Sequence, residues 1–210
     1  MWRGPNWWQV AAVIGTGLLH LLFLKVIGYH LLFIIGAITG WTYYVVKSSK
    51  SDSNQLRDWG FRREGFAPSF FLTASVTLVS IGVMALIGWQ RGHLRLHWHM
   101  LPLLLLYPVW GVIQQFLIQA LVAANLMRDE RGPRSIWPAL LVSACLFATA
   151  HVPNLELMAA TFLLGATFTP IYLRWRNLWP LGLCHGWAGL FFYFWVQGSD
   201  PVHVLLKGFR

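Results

Sequence analysis

Seven stretches of this chain are apolar over 15 or more residues, and the segments between them are short and mostly basic. They cover residues 10–24, 26–46, 68–89, 101–127, 137–152, 155–173 and 179–196. An α-helix rises 1.5 Å per residue, so about 20 apolar residues cross the roughly 30 Å hydrocarbon layer of a bilayer. A soluble globule of 210 residues has too little interior for that much apolar surface: 57% of the residues are hydrophobic and 11% charged, against about 25% charged in an ordinary soluble domain. A disordered chain shows the opposite bias. The expected fold class is therefore all-α, a polytopic transmembrane bundle of about seven helices. It forms one membrane domain over residues 1–210, with no room for a sizeable soluble one. Its parts are two N-terminal helices (1–46), a basic loop (47–67), helices over 68–197 and a tail (198–210). Residues 10–24 resemble a signal-peptide core, but no small-x-small site follows and Lys25 leads into the next run, so they read as a retained span.

The formal net charge of +9 would suggest nucleic acid in a soluble protein. Here the basic residues sit in loops between apolar runs, which is the positive-inside pattern or contact with anionic headgroups, and no nucleic-acid partner is expected. With seven spans, one side of the membrane collects eleven Lys and Arg residues and the other five. The N-terminus is thus expected in the cytoplasm, in a multi-pass cell-membrane protein. Cys145 and Cys184 both lie in apolar segments and form no disulfide framework. A short amphipathic helix is expected near residues 56–66.

Polar side chains inside lipid are costly and usually face the bundle interior. Gln114, Gln115 and Gln119 form the densest such group. Gln115 and Gln119, four apart, share a helix face, while Gln114 points about 100° away from Gln115. Buried amides can act as interhelical glue. His151 follows Phe147 by one turn and precedes Pro153 and Asn154. His185 sits between Gly182 and Gly186, which permit close approach of a neighbouring helix. Counting helical rise from the flanking arginines puts His151, Gln114 and His185 roughly 25, 21 and 13 Å into the bilayer. Glu156 is the one carboxylate inside an apolar run. His93 and His97 stand at a spacing that suits a metal on a helix, within a group that includes His99, but an interfacial segment is the preferred reading. No metal and no cofactor are called for. The Cys184–His185 neighbours point about 100° apart on a helix and make a poor catalytic dyad.

The order of these motifs resembles the CPBP family of intramembrane proteases, which includes the CAAX prenyl-protein endopeptidases and bacteriocin-processing proteins. That family carries Glu-Glu-x-x-x-Arg, Phe-x-x-x-His and His-x-x-x-Asn on successive helices. The corresponding residues here are Gln114, Gln115 and Gln119; Phe147 and His151; and His185 and Gly189. The aromatic, basic segment 56–63 also looks like that family. The resemblance implies that Gln114 stands at the base, with His151 as its partner in activating water and His185 as the oxyanion donor. Gly189 stands where the asparagine would be. It also implies a membrane-associated, including lipidated, peptide as substrate, with Phe147, Asn154, Gln119 and Gly189 contacting it.

The departures change the chemistry. A glutamine amide cannot take a proton at neutral pH, although it can orient a water. Gly189 has no side-chain donor, and loss of one oxyanion donor raises a barrier by about 2.7–4 kcal/mol. The Glu/Arg pair is replaced at both ends by neutral amides that can bond each other, whereas losing the glutamate alone would strand a buried arginine. This pattern suits a rebuilt site. Glu156 is the available substitute base, though a position at the membrane surface is the simpler reading. Three functions stay open: a peptidase, an inactive homologue that binds membrane peptides or a partner, and an enzyme acting on an apolar lipid or isoprenoid. Sequence leaves the oligomeric state unknown.

Overall fold

The computed structural model describes residues 6–23, 27, 30–127 and 135–202. Within them all regular structure is helical: α1 (Trp7–Leu22), α2 (His30–Ser51), α3 (Gln55–Trp59), α4 (Phe66–Gln90), α5 (Met100–Gln115), α6 (Ala124–Leu126), α7 (Trp137–Thr149), α8 (Leu155–Trp175) and α9 (Leu178–Phe191). A π-helical segment, Phe116–Ala123, joins α5 to α6, and a second, Phe192–Val196, extends α9. Three continuous helices among the described residues are long and apolar enough to cross a membrane: Phe66–Gln90, Met100–Leu126 and Leu155–Trp175. The helices Trp7–Leu22 and Trp137–Thr149 are apolar but shorter. Arg3, Lys25, Arg128, Arg131, Arg134, Lys207 and Arg210, part of the charge asymmetry, lie outside the described residues.

Some boundaries differ from the hydropathy reading. α2 continues to Ser51, because nothing breaks the helix after residue 46 and the Ser49 and Ser51 hydroxyls donate to the Val46 and Lys47 carbonyls. Lys47 and Lys50 are therefore helical. In place of an amphipathic helix over 56–66 there is a five-residue helix, stopped by Gly60 at φ +101°. α7 ends at Thr149, and His151 lies in the turn before α8.

The loop after α3 is latched to the α8–α9 junction. Trp59 is buried beneath it, and its carbonyl accepts the Tyr172 hydroxyl. The Leu178 amide donates to the Gly60 carbonyl, Arg62 donates to the Trp175 carbonyl, and Asn177 Nδ2 donates to the Arg62 and Glu64 carbonyls. A Cβ at Gly60 would stand 2.9 Å from the Arg176 carbonyl, so the φ and the close approach both call for glycine. Outside the membrane spans, hydrogen bonding to its own backbone amide and the nearby Arg57 and Arg62 hold the Glu64 carboxyl below its usual range.

The contact that matters most for the site is α5 on α9. A Cβ at Gly111 would lie 2.2 Å from the Gly182 carbonyl oxygen, and one at Gly186 would lie 2.4 Å from Pro108 N. Three glycines thus let two backbones touch, as small residues do at membrane helix crossings. α7 packs on α8, and α4 packs along α9.

Candidate functional site

The α5–α9 crossing positions the polar residues. One turn beyond Gly111, Gln115 is fully buried and its amide Nε2 lies 3.3 Å from His185 Nδ1. Gln119 Nε2 donates to Gln115 Oε1 at 3.3 Å across the start of the π-helical segment. The two glutamines bond each other directly. Because the Gln115 oxygen already accepts from Gln119, its nitrogen is what faces His185. The amide therefore donates to Nδ1, and the imidazole proton resides on Nε2.

His151 has the opposite sense. Its Nδ1 lies 2.7 Å from the Phe147 carbonyl, which can only accept, so Nδ1 carries the proton and Nε2 keeps a free lone pair. The Phe147 ring stands edge-on to both imidazoles, with centroid distances of 5.3 Å to His151 and 5.1 Å to His185. Phe147, 1% exposed, is the spacer that brings the end of α7 against the middle of α9.

Gln114, His151, Glu156, His185 and Gly189 all line one cavity of about 560 Å³, with walls from α4, α5, α8 and α9. Its remaining surface is largely apolar, including Val76, Val83, Trp110 and Leu164. That size and lining suit a small or extended apolar ligand held by a few polar groups. Among the described residues Gln114 has no hydrogen-bond partner, while Gln115, Gln119 and Phe147 form the buried layer behind the cavity surface. Asn154 is not on the lining; its side-chain oxygen accepts the Leu157 amide at 3.0 Å and caps α8. A Cβ at Gly189 would meet only the Tyr107 ring at 3.7 Å, so the cavity has space where the resemblance would put an asparagine side chain.

Glu156 borders this cavity at its rim and is paired. Arg91 donates to both carboxylate oxygens, at 2.7 and 3.1 Å, and to the Val196 carbonyl at 2.9 Å. The hydrogen bond to Glu156 also raises the Arg91 guanidinium above its already high ordinary value. Both side chains are nearly half exposed. Arg91 was not foreseen as a site residue, being read as a loop charge. The usable signal was Glu156 itself, since a lone carboxylate in an apolar run requires a cationic partner. Cys184 is buried beside Thr73 and Thr77, apart from the His185 ring's contacts, and Cys145 is exposed. A second cavity of about 460 Å³ lies between α1 and α2, lined by Trp8, Trp41, Tyr44 and other mostly apolar side chains, with no titratable group except the tyrosine.

Residues 96–191 match the family described as Type II CAAX prenyl endopeptidase Rce1-like. That range contains Gln114, Gln115, Gln119, Phe147, His151, His185 and Gly189. No curated protein and no solved structure matches the chain.

Proposed function

From the Rce1-like CAAX protease family domain over residues 96–191, we propose that this protein binds membrane-associated peptides in the cavity between α4, α5, α8 and α9. Hydrolysis there is attenuated relative to a site with glutamate at 114 and asparagine at 189. One observation carries the reading: two imidazoles of opposite hydrogen-bonding sense, separated by the Phe147 ring, line one cavity with an unpartnered amide. His151, with a free Nε2, can take a proton from water. His185, with its proton on Nε2, can donate to an oxyanion. Gln114 orients the water without accepting its proton. In this reading Gln115 and Gln119 position His185, and Glu156 serves the rim rather than the chemistry. The whole chain is a membrane bundle of about seven helices with a cytoplasmic N-terminus.

The test uses the full chain in lipid nanodiscs with a single-span peptide carrying a photoreactive group and a fluorogenic bond. Crosslinks at Gly189, Trp110 or Leu164, with slow cleavage that His151→Ala removes, are expected. Crosslinks confined to outward-facing residues away from the cavity, such as Leu101 or Leu105, would overturn peptide binding in the cavity. The largely apolar walls favour a second ligand class, a lipid or isoprenoid chain. Competition by free isoprenoid alcohol, with no crosslinking of an unmodified peptide, would select that reading.

A further inference from the structure

At the end of α4 away from the basic loop, three side chains from two distant stretches converge. Among the described residues, His97, His99 and Asp200 are the one group of His, Cys, Asp or Glu whose potential ligand atoms all lie close together, within 4.8 Å of one another. His97 and His99 come from the connection between α4 and α5, and Asp200 follows the π-helical extension of α9. The segment holding His93 and His97 is not helical, so that pair does not have the i, i+4 relation its spacing suggests. His97 is instead paired two residues on, with His99.

We propose that His97, His99 and Asp200 form a binding site for a divalent first-row transition metal of the zinc class. The carboxylate is already set for the task. Its side chain is 8% exposed, its Oδ1 accepts the Val202 amide at 2.9 Å, and its Oδ2 faces both imidazoles. His99 Nδ1 is in hydrogen-bond contact with Oδ2, and His97 Nδ1 stands 4.0 Å from the same oxygen. The metal takes the place of the proton between His99 and Asp200. His97, with half its side chain exposed, rotates to complete the set. Its ring rests on Phe194 at 5.7 Å, and the His99 ring on Trp98 at 3.9 Å, so neither imidazole starts from an arbitrary orientation. Two neutral nitrogens and one carboxylate match zinc and its neighbours. Magnesium and calcium want oxygen ligands, and soft monovalent copper wants sulfur. The described residues supply three protein ligands.

The site would couple two parts of the chain next to the cavity. Arg91 and Val196, which meet at the cavity rim, each lie within a few residues of a ligand in sequence. A bound metal therefore pins the α4–α5 connection to the end of α9 and braces the rim. This rests on side-chain geometry outside the cavity and does not depend on what the cavity binds.

The test takes the full chain, tag-free in detergent, stripped with chelator and titrated with Co²⁺ alone. One equivalent per chain at micromolar concentration is expected, with d–d absorption that Zn²⁺ displaces, and a melting temperature that rises on loading. His97→Ala, an exposed position that should fold normally, and Asp200→Asn should each weaken binding by about tenfold or more. His151→Ala and His185→Ala should leave it unchanged. Absence of stoichiometric binding overturns the site, as does less than about tenfold weakening in His97→Ala. Loss of binding in His151→Ala or His185→Ala with His97→Ala unaffected would move the metal to the cavity and likewise overturn it.

Discussion

Gln115 Nε2 lies 3.3 Å from His185 Nδ1, and that bond spans α5 and α9 one turn from where their glycines bring the backbones together. The same amide accepts from Gln119, so the imidazole is oriented by a chain of two neutral side chains. Gln115→Leu leaves both neighbours without a buried partner. It should lower stability by about 1–3 kcal/mol. Gln119→Leu should cost less than about 1 kcal/mol, because the Gln119 Oε1 is already buried without a partner among the described residues. Thermal unfolding of both variants in one detergent checks the order. A larger loss for Gln119→Leu would mean that the network runs the other way.

The glycines at the crossing and the glycine in the cavity should behave oppositely. Gly111→Ala sets a methyl group 2.2 Å from a backbone oxygen that cannot rotate away. It should force α5 and α9 apart and destabilise by about 1–3 kcal/mol or more, as overpacking does. Gly189→Ala meets only the Tyr107 ring at 3.7 Å and gains helix propensity, so its stability should be equal to or above wild type. Melting temperatures of the pair, with Gly186→Ala as a second crossing variant, decide this.

Restoring two of the four residues that depart from the family pattern, those that face the cavity, should restore rate. Gln114→Glu supplies a group that can accept a proton, and Gly189→Asn places an amide donor where the cavity has space. Together they should raise peptide turnover by at least about 10²-fold, the contribution usual for one oxyanion donor. The measurement is initial rate with the fluorogenic peptide in nanodiscs. A folded, peptide-binding double variant with unchanged rate would show that the imidazoles are not arranged for hydrolysis.

Glu156 and His151 border the same cavity, and their removal separates rim from chemistry. Glu156→Gln loses the Arg91 ion pair, but Arg91 keeps the Val196 carbonyl, and an exposed pair adds little to stability. Its turnover should stay within about tenfold of wild type, whereas His151→Ala should lose about 10²–10⁴-fold, the range for a lost general base. Equal losses in both variants would bring Glu156 into the mechanism.

Element boundaries show where one-dimensional reading stops. The long apolar run of residues 101–127 appears as a single continuous helical passage, Met100–Leu126, because hydropathy and length alone demand it. Its π-helical stretch at Phe116–Ala123 has no signature in the residues, which are ordinary helix-compatible types. The apolar run 137–152 ends just before Pro153, whereas α7 stops at Thr149 and Asn154 starts the next helix by accepting the Leu157 amide. The proline marked the interruption but not which residues fill the turn, and His151 sits in that turn.

What the residues determine by themselves is the class of solvent and the short list of polar groups. Unbroken apolar runs of this length are helical in lipid, since a helix satisfies its backbone amides within the segment and a barrel strand would alternate apolar and polar residues. The pairing of Gln115 with Gln119, four apart on one helix, follows from the same local geometry. Which distant groups meet is decided by helix packing. Glu156 finds Arg91 across 65 residues, His99 finds Asp200 across 101, and Phe147 stands between two imidazoles. Sequence spacing constrains neighbours within a turn or two, whereas these encounters depend on how closely backbones can approach, and at Gly111, Gly182 and Gly186 that distance is set by contacts between separate helices.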